Sequence, residues 1–208
     1  LQVEILFNGT ADAMRRRVLE PLKLNIKNTE QENIHILDVA TGTGRTLKQI
    51  RGTFPKAELI GLDLSSAYLK KASKYLTSNN SDLAQLIRAN AENMPLAENS
   101  MEGITCVFLF HELPPKARQR VIEECFRVLK PGGIFVLADS IQIKDSPHFS
   151  SILEDFHKVF HEPYYRNYIS DNIEERLKEG GFESITADSY FMTRVWTGIK
   201  PKVNEKSL

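Results

Sequence analysis

A carboxylate and a glycine-rich turn follow each other in the first third of the chain. The apolar run 34–39 carries Asp38 near its end, and Gly42 and Gly44 follow. Glycine lets the backbone turn sharply and lets a ligand approach it, and a helix that begins there has free N–H groups. A dinucleotide-binding turn would have a third glycine where this chain has Leu47, and Asp38 would repel a pyrophosphate but attract an ammonium. The pattern favours a cationic, phosphate-free nucleoside ligand over a tight turn that holds no ligand.

A second acidic residue, Asp63, ends the apolar run 57–63, 19 residues after Gly44. A carboxylate at the end of a strand can accept hydrogen bonds from both hydroxyls of a ribose. It could instead stabilise the dipole of the helix that follows. We favour the ribose role because the glycine turn predicts a nucleoside independently.

Two later stretches carry side chains that could act on a second substrate. His111 is the first titratable residue after the apolar run 103–110, and a neutral imidazole there could remove a proton from a phenol or a carboxyl-bearing substrate. A structural role as a helix cap is the alternative. Residues 160–168 contain three tyrosines, a histidine and an arginine, which could form an aromatic wall with hydrogen-bonding groups or simply anchor a helix.

The composition argues against several other classes of function. The chain has 208 residues, 41% hydrophobic and 26% charged, which suits one domain with a full core. Its 27 basic and 27 acidic residues cancel, so no global field attracts nucleic acid or an anionic membrane. No apolar run approaches the length of a membrane span. Three consecutive arginines, Arg15 to Arg17, spread around a predicted helix, and we expect them to be solvated.

Cysteine usage bears on the compartment. Cys106 and Cys125 lie in apolar surroundings without metal-ligand spacing, so we expect buried thiols in a reducing compartment. We therefore predict a cytoplasmic protein. Because the sequence begins with Leu1, an organellar location stays open if a transit segment was removed.

The elements that must position these residues alternate between strand and helix. Thr10 is predicted to cap a helix over about 11–20, which Pro21 ends. Strands are predicted at 34–39, 57–63, 83–89, 103–110 and 134–138, with helices between them. This order predicts a parallel α/β sheet whose ligand lies at the carboxyl ends of the strands. Helices are then predicted at 147–161 and 171–179, followed by strands at 184–191 and 194–200 that form a closing antiparallel hairpin, which is foreign to dinucleotide-binding halves.

Taken in order, these features resemble the class I S-adenosylmethionine-dependent methyltransferases, nearest the methyltransferase type 11 group with ubiquinone and menaquinone biosynthesis enzymes. Residues 38–44 read D-x-x-x-G-x-G, and residues 127–133 are similar to the family's R-x-L-K-P-G-G junction. The resemblance covers about 34–200. It implies a three-layer Rossmann-like fold with a seven-stranded, mostly parallel sheet and an antiparallel terminal hairpin, in a single methyltransferase domain over 1–208 with an N-terminal helical or extended segment at 1–33.

The resemblance also implies the cofactor, S-adenosyl-L-methionine, with S-adenosyl-L-homocysteine as its product, and the residues that bind it. The segment after the third strand meets the adenine, and this chain has Ala89-Asn90 where the family has Gly-Asp. The side-chain carbonyl of Asn90 can still accept from the adenine amino group, with Glu92 as the alternative. The implied cofactor contacts are Asp38, Ala40, Thr41, Gly42, Thr43, Gly44, Asp63, Leu64, Asn90, Ala91, Glu92 and Phe108.

In this family the end of the fourth strand faces the methyl acceptor, and a segment that corresponds to 141–180 covers it as a lid. The resemblance therefore makes His111 and His161 candidate catalytic residues, and His111, His161, Tyr164 and Tyr165 candidate acceptor contacts. Asp139 and Asp145 could suggest a cation, but the wider pattern of metal-dependent catechol methyltransferases is not evident, and we predict no metal.

We predict methyl transfer to a small-molecule acceptor and no nucleic-acid partner. The N-P-P-Y signature of amino-group nucleic-acid methyltransferases is replaced by Phe110–Leu113, and the net charge is zero. The alternatives are a protein or RNA methyltransferase that uses a local patch, or a non-catalytic S-adenosylmethionine-binding partner subunit. A dinucleotide oxidoreductase is less favoured, and the oligomeric state is left open.

Overall fold

A computed structural model describes residues 11–26, 34–78, 84–151, 153–155 and 162–202. Its strands form one seven-stranded sheet in the order β3-β2-β1-β4-β5-β7-β6. The first five strands are parallel, and β7 runs antiparallel between β5 and β6. The predicted seven-stranded sheet with a terminal hairpin is confirmed. The strands are β1 (His35–Val39), β2 (Glu58–Asp63), β3 (Ala84–Arg88), β4 (Met101–Val107), β5 (Leu129–Ser140), β6 (Glu183–Tyr190) and β7 (Thr193–Ile199).

Helices and short turns connect these strands. Ser65 begins the helix after β2, because its hydroxyl oxygen accepts a hydrogen bond from the Tyr68 N–H at 3.3 Å. Asn172 caps a later helix through the Glu175 N–H. The described α-helices are α1 (Ala11–Arg16), α2 (Leu19–Ile26), α3 (Arg45–Thr53), α4 (Ser66–Ser78), α5 (Pro115–Val128), α6 (Tyr165–Tyr168) and α7 (Ile173–Glu179), with 3₁₀ turns at Phe110–Glu112, Ile143–Asp145 and Pro147–Phe149.

The apolar core lies on both faces of the sheet. Neighbouring residues of β1 point to opposite faces, as the pleat requires. Ile36 packs in a cluster with Leu22 of α2 and Leu47 of α3, whereas Leu37 packs in a second cluster with Val121 of α5. The two clusters make the predicted three-layer arrangement.

Three predicted boundaries were wrong. Pro21 does not end a helix but lies in the first turn of α2, where backbone N–H groups have no intrahelical acceptor and proline loses nothing. β4 ends at Val107, because the next residue, Phe108, has a left-handed φ of 58°. β5 begins at Leu129, which pairs with Met101 through a register shift in β4.

Two other predictions meet the limits of the described residues. Thr10, residues 156–161 and therefore His161 lie outside them. Within the described part of the chain, no helix is both long enough and apolar enough to cross a membrane. Cys106 and Cys125 are free and buried, as predicted.

Candidate active site

The glycine turn after β1 has the left-handed backbone that its sequence predicts. Ala40, Gly42 and Gly44 have φ of 55°, 54° and 80°. A Cβ on Gly44 would lie 3.2 Å from the Ala72 Cβ, so α4 packs closely against this position. A Cβ on Gly42 would meet only the Ala40 carbonyl oxygen at 3.9 Å, which leaves the other side of this glycine open. The turn therefore presents open main chain at the carboxyl end of β1.

Asp63 is bound directly to this turn. One carboxylate oxygen accepts a hydrogen bond from the Gly42 N–H and the other accepts one from the Ser65 N–H, both at 2.8 Å. The side chain is largely buried at the end of β2. An ionised carboxylate has about four acceptor positions, so two hydrogen bonds to the main chain leave acceptor capacity for a ligand. Sequence reasoning placed Asp63 and Gly42 at one site, and the structure brings them into contact.

Asp38 lies near the end of β1, immediately before the turn, as its sequence predicts. Its carboxylate is buried, and the hydroxyls of Thr41 and Thr105 each donate a hydrogen bond to one of its oxygens at 2.7 Å. Burial raises the pKa of Asp38 to about 6, against the opposite effect of these hydrogen bonds. Asp38 thus joins β1, the glycine turn and β4, and both of its oxygens already have a donor.

Removing this buried charge should stabilise the fold at neutral pH. A pKa raised from 3.8 to about 6 means that ionisation opposes folding, so stability falls as the pH rises through this range and the loss is complete above it. The shift corresponds to roughly 3 kcal/mol at most. We expect the Asp38→Asn variant to have a higher free energy of unfolding than the native chain at pH 7.5. The difference between the two chains should be smaller at pH 4.5. Urea unfolding at both pH values tests this, and an equal effect at both would contradict it.

The loop after β3 orients Asn90 and its neighbours. The Asn90 side-chain oxygen accepts a hydrogen bond from the Glu92 N–H at 3.0 Å, and Glu92 forms an ion pair with Arg120 at 2.5 Å. Both predicted adenine contacts, Asn90 and Glu92, thus lie in this loop and are held by hydrogen bonds or ion pairs. Leu64, which follows Asp63, is 65% exposed and offers an apolar surface nearby in the chain.

One of the three consecutive arginines is not solvated, contrary to the prediction. The Arg15 side chain is only 17% exposed, and its guanidinium lies 5.8 Å from the centre of the Phe108 ring. Its charge acts on Asp38 beside the glycine turn. Asp12 holds α1 in place through an ion pair with Arg45, the first residue of α3, at 3.2 Å. Helix geometry alone could not reveal this contact, because it depends on where α1 packs.

A second polar cluster lies at the carboxyl ends of β4 and β5. His111 is buried, and its Nδ1 lies 2.6 Å from an oxygen of Asp139, which is itself fully buried. The other Asp139 oxygen accepts hydrogen bonds from the N–H groups of Phe110 and His111. Burial opposes the charge on His111, but Asp139 outweighs it and raises the pKa of His111 to about 9. The pair is a fixed, charge-assisted hydrogen bond.

Residues of α6 complete this cluster. The ring of Tyr165 meets His111 edge-on, with 6.1 Å between ring centroids, and its hydroxyl lies 2.8 Å from the Ser140 hydroxyl. Tyr164 is 40% exposed, so its side chain is free to meet an acceptor from the solvent side. The charge of Asp63, which is bonded to the glycine turn, acts on Glu112, the neighbour of His111, so this cluster lies near the turn.

Sequence reasoning missed the residue that joins the two halves of this cluster. Arg118 is fully buried, and its Nε donates to the Phe110 carbonyl at 2.8 Å. The same guanidinium donates to the side chains of Asn167 and Asp171 and to the Tyr164 carbonyl. The sequence did contain a signal for this burial. Arg118 lies one helical turn before Val121 and Ile122, on the apolar face of α5.

Comparisons with known proteins identify the family of this chain. Residues 36–133 match the family model described as a methyltransferase domain. A demethylmenaquinone methyltransferase of Thermotoga maritima is 32% identical over 198 residues, which cover 86% of this chain and 80% of that protein. A demethylmenaquinone methyltransferase of Lactiplantibacillus plantarum is 32% identical over 170 residues, or 77% of this chain and 68% of that one.

Solved structures agree on the fold. A geranyl diphosphate methyltransferase in complex with S-adenosylmethionine superposes with a TM-score of 0.68 at 10% identity, covering 91% of this chain and 85% of that one. The structural likeness extends over the sheet and its helices, and the sequence similarity identifies the family. The chain belongs to the class I S-adenosylmethionine-dependent methyltransferases, and S-adenosylmethionine is its cofactor.

Proposed function

We propose that this methyltransferase acts on a small hydroxylated ring compound of the quinol or phenol type. The acceptor binds between the 110–112 turn and α6, and residues 141–180 cover it as a lid. The observation that carries the proposal is the buried His111–Asp139 pair with the Tyr165 ring at its edge. A buried polar group flanked by aromatic edges suits a flat ring with a hydroxyl, and the relatives named demethylmenaquinone methyltransferase support a ring acceptor.

The residues around the glycine turn would hold the cofactor, whose sulfonium supplies an electrophilic methyl group. Asp63 accepts the ribose hydroxyls, Asn90 accepts the adenine amino group, and the open side of Gly42 admits the ligand to the main chain. The remaining task of the protein is to hold the acceptor in line and exclude water, which supplies much of the rate.

Arg15 is well placed to bind the one anionic group of this cofactor, the methionine carboxylate. It is a largely shielded cation whose charge reaches Asp38 at the turn and whose guanidinium contacts Phe108. Because a charge-assisted hydrogen bond contributes about 1.5–3 kcal/mol, Arg15→Gln should weaken S-adenosylhomocysteine binding by roughly ten- to a hundredfold.

Calorimetric titration measures this effect. The exposed neighbour Arg16 supplies a matched control, and Arg16→Gln should leave the affinity unchanged. A second titration with 5′-methylthioadenosine, which lacks the carboxylate, should show no difference between Arg15→Gln and the native chain. An equal loss for both ligands would remove Arg15 from the carboxylate role.

Methyl transfer from radiolabelled S-adenosylmethionine tests the acceptor class. The panel contains a short-chain reduced naphthoquinone without the ring methyl group, a mixture of unmodified peptides, and total RNA. We expect label in the naphthoquinol and none in peptide or RNA. Label in peptide or RNA alone would identify a macromolecular substrate, and cofactor binding without transfer to any acceptor would support a partner subunit.

A further inference from the structure

A group of potential metal ligands surrounds the open side of His111. One ligand atom from each of His111, Glu112 and Glu162 lies within 4.8 Å of the others, and His111 Nε2 is 4.0 Å from a Glu112 oxygen. Metal–ligand distances of about 2.0–2.2 Å allow ligand atoms to be up to roughly 4.4 Å apart. A small rotation of the glutamate side chains would bring all three atoms into range.

His111 is oriented as metal-binding histidines are. Its Nδ1 is held by the buried carboxylate of Asp139, which fixes the ring and leaves Nε2 facing Glu112. Among the described residues, Nε2 has no hydrogen-bond partner, and an oxygen of Glu112 lies 4.0 Å from it. In metal sites, the second ring nitrogen of a histidine ligand usually donates a hydrogen bond to a carboxylate or a carbonyl, which orients the ring.

The charges around the cluster also favour a cation. The cluster brings together one imidazole, His111, and three carboxylates, Glu112, Glu162 and Asp139. One imidazole shared among Glu112, Glu162 and Asp139 leaves an excess of negative charge on partly desolvated carboxylates. A divalent ion would offset this repulsion.

We propose that His111, Glu112 and Glu162 form a binding site for one divalent transition-metal ion, with Asp139 as the positioning residue behind His111. The ion takes the place of the proton on His111 Nε2, and that proton passes to the solvent. One imidazole and two carboxylates suit a borderline cation such as Mn²⁺ or Zn²⁺ better than Ca²⁺. Three protein ligands leave open positions on the ion. The next step rests on the proposed function. A hydroxyl oxygen of the ring acceptor occupies one of these positions. The ion lowers the pKa of this hydroxyl group, and the hydroxyl proton passes to water.

Titration of the full chain with Mn²⁺, followed by electron paramagnetic resonance of the free ion, tests the site. We expect one ion per chain. Glu112→Gln, Glu162→Gln and His111→Ala should each weaken binding by about tenfold or more, and Asp139→Asn should weaken it by about ten- to a hundredfold through His111. Glu123→Gln removes the same charge from an exposed position on α5 and should leave binding unchanged.

The outcomes separate this site from the proposed function. No binding at millimolar Mn²⁺, or binding that the three ligand variants leave unchanged, overturns the metal site. Naphthoquinol methylation that persists after chelation, without a bound ion, overturns coordination of the acceptor by the ion and leaves the proposed function standing. A bound ion that depends on the cluster, with no methylation of any ring compound, supports the site and overturns the ring acceptor. Because Glu112 is exposed and Glu162 half-buried, their variants keep the test valid if His111→Ala fails to fold.

Discussion

Replacing Asp63 by alanine is expected to weaken S-adenosylhomocysteine binding by at least about a hundredfold. The carboxylate already accepts the Gly42 and Ser65 N–H groups, and the ribose role adds two hydroxyl donors. Each charge-assisted hydrogen bond contributes about 1.5–3 kcal/mol, so losing two costs about 3–6 kcal/mol, or a hundredfold and more. Loss of the Gly42 contact also frees the turn itself, which adds to the effect.

Calorimetry on matched variants separates these contributions. Asp63→Asn keeps one carbonyl oxygen and should bind more weakly than the native chain but better than Asp63→Ala. Asp188→Ala removes a carboxylate from an exposed position on β6 and should bind normally. Circular dichroism confirms that each variant is folded. Native affinity in a folded Asp63→Ala variant would exclude Asp63 from the ribose contact.

The contact between the glycine turn and Asp63 could be predicted because its requirements are local in sequence. A sharp turn needs Gly42 and Gly44, and parallel pairing of β1 with β2 brings the ends of both strands to one edge. The Gly42–Asp63 hydrogen bond then follows from the order of strands alone. Even here the hydrogen bond from Thr105 to Asp38 could not be predicted, because Thr105 lies on β4, 67 residues away.

The acceptor side depends on contacts that no periodic pattern encodes. His111 was visible as a titratable residue at a strand end, but its partner Asp139 lies 28 residues further on, at the end of β5. The partners of Arg118 on the segment around α6 are 46 to 53 residues away. Arg15 was misjudged for the same reason, since helical spacing says where a side chain points around its own axis and not what packs there.

The boundary errors have a related cause. The helix predicted over 11–20 was expected to end at Pro21 because proline breaks a helix interior, but a new helix begins at Leu19 and gives proline a first-turn position. The start of β5 was placed at Ile134 because the Pro131-Gly132-Gly133 sequence is typical of a turn. Pairing with β4 and a hydrogen bond from the Gly132 N–H to the Lys200 carbonyl instead extend the strand to Leu129.

Replacing Arg118 by alanine is expected to lower the free energy of unfolding by about 3–5 kcal/mol. The guanidinium is fully buried between α5, the Phe110 turn and the segment around α6. Its removal leaves a cavity, takes from Asp171 one of its two arginine partners, and breaks the hydrogen bonds to the Asn167 side chain and to the Phe110 and Tyr164 carbonyls. Arg118→Lys should recover little of the loss, because an ammonium cannot reach in four directions with the geometry of a guanidinium. The substitution should also displace the cluster around His111, because Arg118 joins the turn that carries His111 to Tyr164.

Urea unfolding measures the first effect, and Arg120 on the same helix provides the comparison. Arg120 is exposed and its pair with Glu92 lies at the surface, so Arg120→Ala should cost less than about 1 kcal/mol. Arg118→Met replaces the buried charge by an apolar side chain of similar length, and Asp171 still faces Arg176 at 2.8 Å. This variant should therefore lower the free energy of unfolding less than Arg118→Ala does. If Arg118→Ala and Arg120→Ala unfold at the same urea concentration, the buried guanidinium does not hold the segment around α6 to the sheet. In that case the position of Tyr165 against His111 must come from its own packing and from its hydroxyl contact with Ser140.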